Sequence, residues 1–307
     1  MLKYVASRLL IAVPTIIAVS ILVFGMMHLV PGDPAEIFLG EEPSTPETLA
    51  RVRAEMGLDR PLYEQYLSYM AGVARGDFGR SLHMRRTVAE QITRALPSTI
   101  ELTFAAMLTA VLIGCVLGVV AAVNHNTWID SATMAFAMIG LSMPVFWSSL
   151  VLIMVFSIQL QWFPAIGHGG VERLVLPAFA LGAVSASVLA RLVRSSMLEV
   201  LRQDYVRTAV AKGVGARRVV YRHALKNAMI PTVTVMGLQF GNLLSGTVIT
   251  ETIFSRLGIG KLYIDALLLK DFPTVQGVTL FIATAYVLVN LLVDVSYAVL
   301  DPRIRYD

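Results

Sequence analysis

Six stretches of this chain are apolar for long enough to cross a lipid bilayer, and that leaves few folds open to it. They are Leu9–Val30, Leu102–Val123, Ser131–Ile158, Leu174–Ala190, Ala228–Thr250 and Phe272–Val293, the last running on past Asp294 to Leu300. A spanning helix needs roughly 20 mostly apolar residues, because hydrocarbon offers the backbone no water to bond. The first three stretches carry no Asp, Glu, Lys or Arg. Pro14, Pro144, Pro177 and Pro231 sit in or at the ends of these runs. Neighbouring helices can satisfy the carbonyls that a kinked span frees, so the prolines do not veto it. Only 15% of the residues are charged, against about 25% in a soluble domain. The expected fold is an all-α integral membrane protein with six transmembrane helices.

The start, "MLKYVASRLL", is short and basic and leads into the first apolar run. "VPGDPAEIF" follows that run where a cleaved signal would show an Ala-x-Ala-like exit, so the first helix reads as retained. The single cysteine, Cys115, falls mid-span and reads as a small packing residue. Lys and Arg collect on the cytoplasmic side of short loops. With the N-terminus inside, thirteen basic residues fall on inner segments and four on short outer loops. The other eight lie between Pro31 and Pro97, beside ten acids, in a loop long enough to be largely exempt. Both termini are therefore expected in the cytoplasm.

The long outer loop, 31–97, carries helix signals of its own. In "PSTPETLARVRAEMG", Ser44 with Glu47 fits a capping box, Pro46 suits a first turn and Gly57 a stop. A second helix is expected from Pro61 to about Ala74, ended by Gly76, with Leu62, Tyr66, Tyr69 and Val73 at helical spacing. These helices either cap the bundle or meet an external partner.

Between the fourth and fifth runs lies "RTAVAKGVGARRVVYRHALKNAMIP", with six basic residues, one His and no acid. Its one aromatic, Tyr221, and its confinement to a membrane argue against nucleic acid. A lipid surface would reward juxtamembrane cations by about 1 kcal/mol each. Gly213 and Gly215, however, divide the block into a helix ending near Lys212 and another starting near Ala216. That is a helix–turn–helix elbow, the shape of a docking surface for a protein.

"DYVRTAVAKGVGARRVVYRHALKNAMIP" resembles the cytoplasmic coupling loop of type I ABC importer permeases, in the branch that handles dipeptides, oligopeptides, glutathione and nickel. "LVPGDPAEIF", "ALPSTIELTF", "SMPVFW", "ETIFSRLGIGKL", "DFPTVQG" and "VNLLVDVSYAVLDPRIRYD" resemble the same branch and span almost the whole chain in the expected order. The short loop between runs three and four is similar to glutathione-type permeases. The family pattern of Glu-Ala-Ala, Gly and a later Ile-x-Leu-Pro is kept only in part. Arg207-Thr208-Ala209 occupies the first triplet, Gly213 keeps the glycine, His223-Ala224-Leu225-Lys226 stands in the last block, and the proline appears at Pro231. Asp204 lies where it would replace the missing acid.

The resemblance implies the first permease of a heterodimer in the bacterial inner membrane. A second homologous permease would pair with it, two cytoplasmic ABC ATPase subunits would grip the loop, and an extracytoplasmic binding protein would deliver substrate. The contact set is then Asp204, Tyr205, Arg207, Thr208, Ala209, Lys212, Gly213, Arg217, Arg218 and His223. The chain divides into 1–30 with the first helix, the outer loop 31–97, a core 98–300 holding the coupling loop 191–227, and a tail 301–307. The expected cargo is a short peptide, with nickel the alternative in the same family. No G-x-x-x-x-G-K-[ST] occurs; "LGIGKL" lacks the first glycine and the hydroxyl residue. ATP and Mg would be held by the partner ATPases, and no cofactor by this chain.

Polar residues at membrane depth are costly, so they mark candidate function. Gln239, Asn242 and Ser245 form one stripe in the fifth run; with Met143 and Trp147 beside the Pro144 break they are the candidate translocation path. Interhelical hydrogen bonding is the structural alternative for that stripe. Asn290, Asp294 and Tyr297 form a second stripe near the cytoplasmic end of the sixth run, and Gly114/Gly118 and Gly237/Gly241 suit close helix contact. The five histidines lack metal-ligand spacing, and His28 reads as a satisfied polar residue. No His-Glu-x-x-His or defensible nucleophile supports an enzyme. A stand-alone secondary transporter would show inverted repeats and midplane ion sites, whereas here the charges cluster near span ends.

Overall fold

The computed structural model describes residues 2–29, 34–39, 45–55, 57–84 and 86–300. Its helices are α1 Leu2–Leu29, α2 Pro34–Leu39, α3 Pro46–Glu55, α4 Leu62–Val73, α5 Val88–Val123, α6 Trp128–Ser142, α7 Val145–Leu152, α8 Glu172–Leu201, α9 Asp204–Ala211, α10 Ala216–Arg218, α11 Leu225–Ile253, α12 Ile259–Leu268 and α13 Phe272–Leu300. π-helical segments follow α7, over Ile153–Gln159, and join α10 to α11, over Val219–Ala224. Extended pairing among the described residues is confined to one antiparallel bridge, Arg80 with Thr87.

Among the described residues, α5, α8 and Phe272–Val293 of α13 are each long and apolar enough to span. Two bent pairs, α6 with Val145–Gln159 and Ala216–Leu244 with Gly246–Ile253, would each make one span more, and α1 is apolar over Leu10–Met26. The helices overrun the apolar runs that announced them. α5 starts at Val88, where Thr87 Oγ1 accepts the Glu90 amide at 3.2 Å and caps the first turn. α8 begins before Pro177 and continues eleven residues past Ala190 to Leu201. The third run is no single helix: it breaks at Met143–Pro144 and turns through 106°. Pro144 cannot continue the α6 hydrogen-bond ladder, and its preceding residue, Met143, is extended at ψ 125°.

The helices form two compact units, Ser98–Leu257 and the pair of segments Met1–Pro97 with Gly258–Asp307. In the first, α8 is the central helix. Its small side chains, Gly182, Ala183, Ser185, Ala186, Ser187 and Ala190, let neighbours approach closely. A Cβ added to Gly114 or Gly118 of α5 would lie 2.8 Å from Leu189 Cβ or 2.6 Å from Val193 Cβ. One added to Gly140 of α6 would lie 2.7 Å from Ser187 Oγ. The Gly114/Gly118 pair is therefore a packing face against α8; Gly241 is buried in α11 and Gly237 half-buried.

In the second unit α1 and α12 pack along α13. Val88, Ile92, Ala95, Ile259 and Val278 form its core. Asp271 caps α13 and ties down the 80s loop: Oδ2 accepts from Ser81 Oγ and, at 2.9 Å, from Thr274 Oγ1, while Oδ1 accepts from the Leu82 amide at 3.1 Å. The expected loop helices are present as α3 and α4. Ser44 lies outside the described residues, and the cap of α3 is Thr45, whose Oγ1 accepts the Thr48 amide at 3.3 Å. Gly57 and Gly76 follow α3 and α4 with positive φ, as stops should.

Candidate functional site

The elbow is built on the overrun of α8 past Ala190. α9 is amphipathic: Val206 and Ala209 turn inward and are buried, while Asp204, Tyr205, Arg207, Thr208 and Lys212 face out. Ala209 is thus a packing residue of the elbow rather than part of its outer face. α9 ends in a full Schellman turn, with the Val214 amide bonding Ala209 O at 3.2 Å and the Gly213 amide bonding Val210 O at 2.9 Å. Gly213 takes φ 79° there, a left-handed conformation that other residues adopt at a cost. Gly215, extended at ψ 144°, starts α10.

Two side chains close the elbow. Tyr205 OH accepts from Asn227 Nδ2 at 2.7 Å and donates to His223 O at 3.4 Å, so α9 is tied to the helix that follows it. The His223 contribution is its backbone carbonyl; its side chain is half-buried. Thr208 Oγ1 turns back to Asp204 O at 2.9 Å. Arg207 lies 3.8 Å from Asp204, an exposed pair of little energetic weight. Arg217 and Arg218 are exposed and, with Gly215, Ala216, Tyr221 and Arg222, line an open cleft of about 850 Å³. Tyr221 (57% exposed) sets apolar surface among these cations, and Val210 (58%) is exposed on α9. Beneath lies one apolar cluster, Val119, Ala122, Val193, Met197, Ala224 and Ala228, so the second arm rests, through Val220 and Ala224, on the ends of α5, α8 and α11.

Next to this base sits an ion pair that no local pattern announced. Arg194 of α8 donates through Nε to Asp130 Oδ1 at 2.6 Å and through Nη2 to Oδ2 at 2.7 Å. Asp130, only 4% exposed, also accepts the Asn126 amide at 3.2 Å and lies 3.2 Å from His125 Nδ1. The clasp fixes the α5–α6 turn to the helix that carries the elbow.

In the bundle, Gln239 Nε2 donates to Ser185 Oγ of α8 at 3.2 Å, and Gln239 Oε1 accepts from Asn242 Nδ2 at 3.1 Å. Gln239 is half-buried and Asn242 exposed. The structure therefore unites these two; the side chains of Ser245, Asp294 and Tyr297 lie outside the described residues. Met143 and Trp147 flank the 106° break on α6 and α7, Trp147 being 45% exposed. α7 packs against α8 and α11. His28 Nδ1 and Nε2 lie 2.9 Å from Phe24 O and 3.3 Å from Gln65 Oε1, the satisfied polar residue expected.

At the other end of these helices, "ALPSTIELTF" and "ETIFSRLGIGKL" meet. Buried Arg256 donates to Glu101 Oε2 at 2.7 Å, and Thr99 Oγ1 donates to buried Glu251 Oε1 at 2.6 Å. Arg256 read as one more loop cation in the sequence. The available signal was Glu101, an acid at the mouth of an apolar run.

The family described as "Binding-protein-dependent transport system inner membrane component" matches residues 114–306, and its N-terminal counterpart matches residues 1–103. The chain is 44% identical to the di/tripeptide transport system permease protein DppB of Pseudomonas aeruginosa, over all of this chain and 99% of that one. It is 45% identical to the glutathione transport system permease protein GsiC of Salmonella choleraesuis over the full length of both. Among solved structures, an inward-facing MetNI methionine ABC transporter superposes with a TM-score of 0.59 at 17% identity. That match covers 69% of this chain and 96% of the other, and it shows a shared fold. With two family descriptions covering nearly every residue and relatives aligned end to end, this chain belongs to the inner membrane components of binding-protein-dependent transport systems.

Proposed function

We propose that this chain is one permease of a heterodimeric, ATP-driven importer that forms the pathway for short peptides, glutathione among them. The observation that carries the cargo class is end-to-end identity of 42–45% to permeases named for dipeptide, di/tripeptide and glutathione transport. In this reading the chain crosses the membrane six times with both termini in the cytoplasm. Residues 31–97 form an extracytoplasmic loop, 98–300 the core and 301–307 a tail.

The elbow within 191–227 is the seat for a cytoplasmic ATPase. Its exposed apolar side chains, Val210 and Tyr221, and its exposed cations, Lys212, Arg217, Arg218 and Arg222, suit a partner surface that offers both apolar and acidic groups. Because Tyr205 and the apolar cluster tie the elbow to α8 and α11, displacing it moves both helices as a lever. Two such ATPases would bind the ATP and Mg, one under this chain and one under a homologous second permease, with a binding protein delivering cargo outside. The primary amides of Gln239 and Asn242 match the donors and acceptors of a peptide backbone in transit, with Ser245, Met143 and Trp147 completing the path.

Gentle purification of the tagged chain followed by mass spectrometry tests the assembly. A second permease and one or two P-loop ATPases should accompany it. Recovery of the chain alone, folded and moving substrate on an ion gradient, would establish a secondary transporter instead. Uptake of nickel rather than peptide by the purified assembly would reassign the cargo within the family.

A further inference from the structure

The loop helix α4 is fastened to α1 by two side chains that point in opposite directions along it. Tyr66 packs its ring on Phe24, centroids 5.5 Å apart, and reaches inward along α1 to place its hydroxyl 2.8 Å from Ser20 Oγ. Gln65, the residue before, reaches towards the end of α1, where its Oε1 is 3.3 Å from His28 Nε2. α4 therefore crosses α1 between Phe24 and His28. At 1.5 Å per residue that level lies within about 8 Å of Leu29, the last described residue of α1. Helices that lie in a membrane surface bury their apolar face about 5–10 Å deep.

These anchors also fix which flank of α4 faces which way. With 3.6 residues per turn, Tyr63, Leu67 and Met70 follow Tyr66 round one side, and Glu64 and Ser68 follow Gln65 round the other. The deep-pointing side is apolar and the outward-pointing side is polar. No residue of α4 is buried, and Tyr63 and Leu67 are 64% and 61% exposed. Leu22 and Met26 of α1, at 65% and 63%, are exposed at the same depth. We infer that α4 lies in the membrane surface at which α1 ends, with Leu67, Met70 and the Tyr63 ring in lipid, the Tyr63 hydroxyl at the boundary where it donates to Glu64 Oε1 at 3.1 Å, and Glu64 and Ser68 in water. Lipid is the occupant because the exposed flank continues the apolar surface of a spanning helix at interfacial depth, and a Tyr at that level suits the headgroup boundary. The loop then holds a fixed height above the bilayer instead of floating free. The inference needs only that α1 spans a bilayer and is independent of the cargo.

The test places a nitroxide label at Leu67→Cys or Ser68→Cys in a Cys115→Ala background, with the chain and its co-purifying subunits in lipid nanodiscs. Collision rates with oxygen, which favours lipid, and with a water-soluble nickel chelate are then measured. A label at 67 should meet oxygen more often, and the chelate severalfold less often, than a label at 68. A label at 67 open to the chelate would overturn the inference by placing the flank in water. Shielding at 67 from both reagents would overturn it by showing a protein cover. A label at 68 that matches the one at 67 would overturn the assigned sides.

Discussion

Removing either half of the Asp130–Arg194 clasp should destabilise the protein strongly, and removing both should cost little more than removing one. Both carboxylate oxygens are engaged, at 2.6 and 2.7 Å. Breaking a buried pair from one side costs about 3–5 kcal/mol, because a charge stays behind unpaired. The Asp130 side chain is 6% exposed and that of Arg194 28%. Arg194→Ala strands the deeper charge and should fall near 5 kcal/mol, while Asp130→Ala strands one that reaches solvent and should fall near 3 kcal/mol. The double variant leaves no stranded charge, so the cycle should show a coupling at the upper end of the 0.5–3 kcal/mol range for contacting residues. Cys115 provides the assay. It is the only cysteine, half-buried against the cluster holding Val193 and Met197, so a thiol-reactive fluorophore reports when that end of the bundle opens. Both single variants should label at lower temperature than wild type, and the double variant at about the temperature of the worse single. A double variant destabilised by the sum of the two would show that the two charges are not coupled.

Gly213→Val forces a β-branched residue to φ 79°, a strain of about 1–3 kcal/mol. Since nothing lies within 4 Å of the added Cβ, the cost is conformational. Substrate uptake should fall with membrane abundance unchanged, and Gly213→Asn, which tolerates that conformation, should retain more uptake. Gly118→Ile must part α5 from α8, because its Cβ would lie 2.6 Å from Val193 Cβ; a loss of about 1–3 kcal/mol should appear in the thiol-labelling melt. Asp271→Ala removes the acceptor for Ser81, Leu82 and Thr274, so limited proteolysis should cut the 80s loop faster than in wild type.

Features set by local chemistry were legible in the sequence. Apolar length announced the helices, Gly213 and Gly215 announced the elbow, and Met143–Pro144 announced a break, because each depends on residues within a turn or two. The 106° angle at that break was not legible, since it depends on how α7 packs against α8 and α11. Pairings across 64 or 155 positions, Asp130 with Arg194 and Glu101 with Arg256, have no local period to reveal them. In sequence both arginines counted as loop or juxtamembrane charge, yet the structure turns Arg256 wholly inward. The Gln239–Asn242 stripe was visible at its three-residue step, but its partner Ser185 was one small residue among many on α8. At α3 the pattern did not single out Thr45, whose hydroxyl takes the Thr48 amide, because neighbouring hydroxyls look alike until the backbone chooses one.

We propose that this chain conducts short peptides and takes its energy from ATPases docked on the elbow. The most direct test is uptake of a labelled tripeptide into proteoliposomes holding the purified assembly, with its binding protein outside and ATP inside. Accumulation should require ATP hydrolysis and stop when the ATPases are left out. Accumulation by this chain without ATP, driven by an ion gradient, would contradict it.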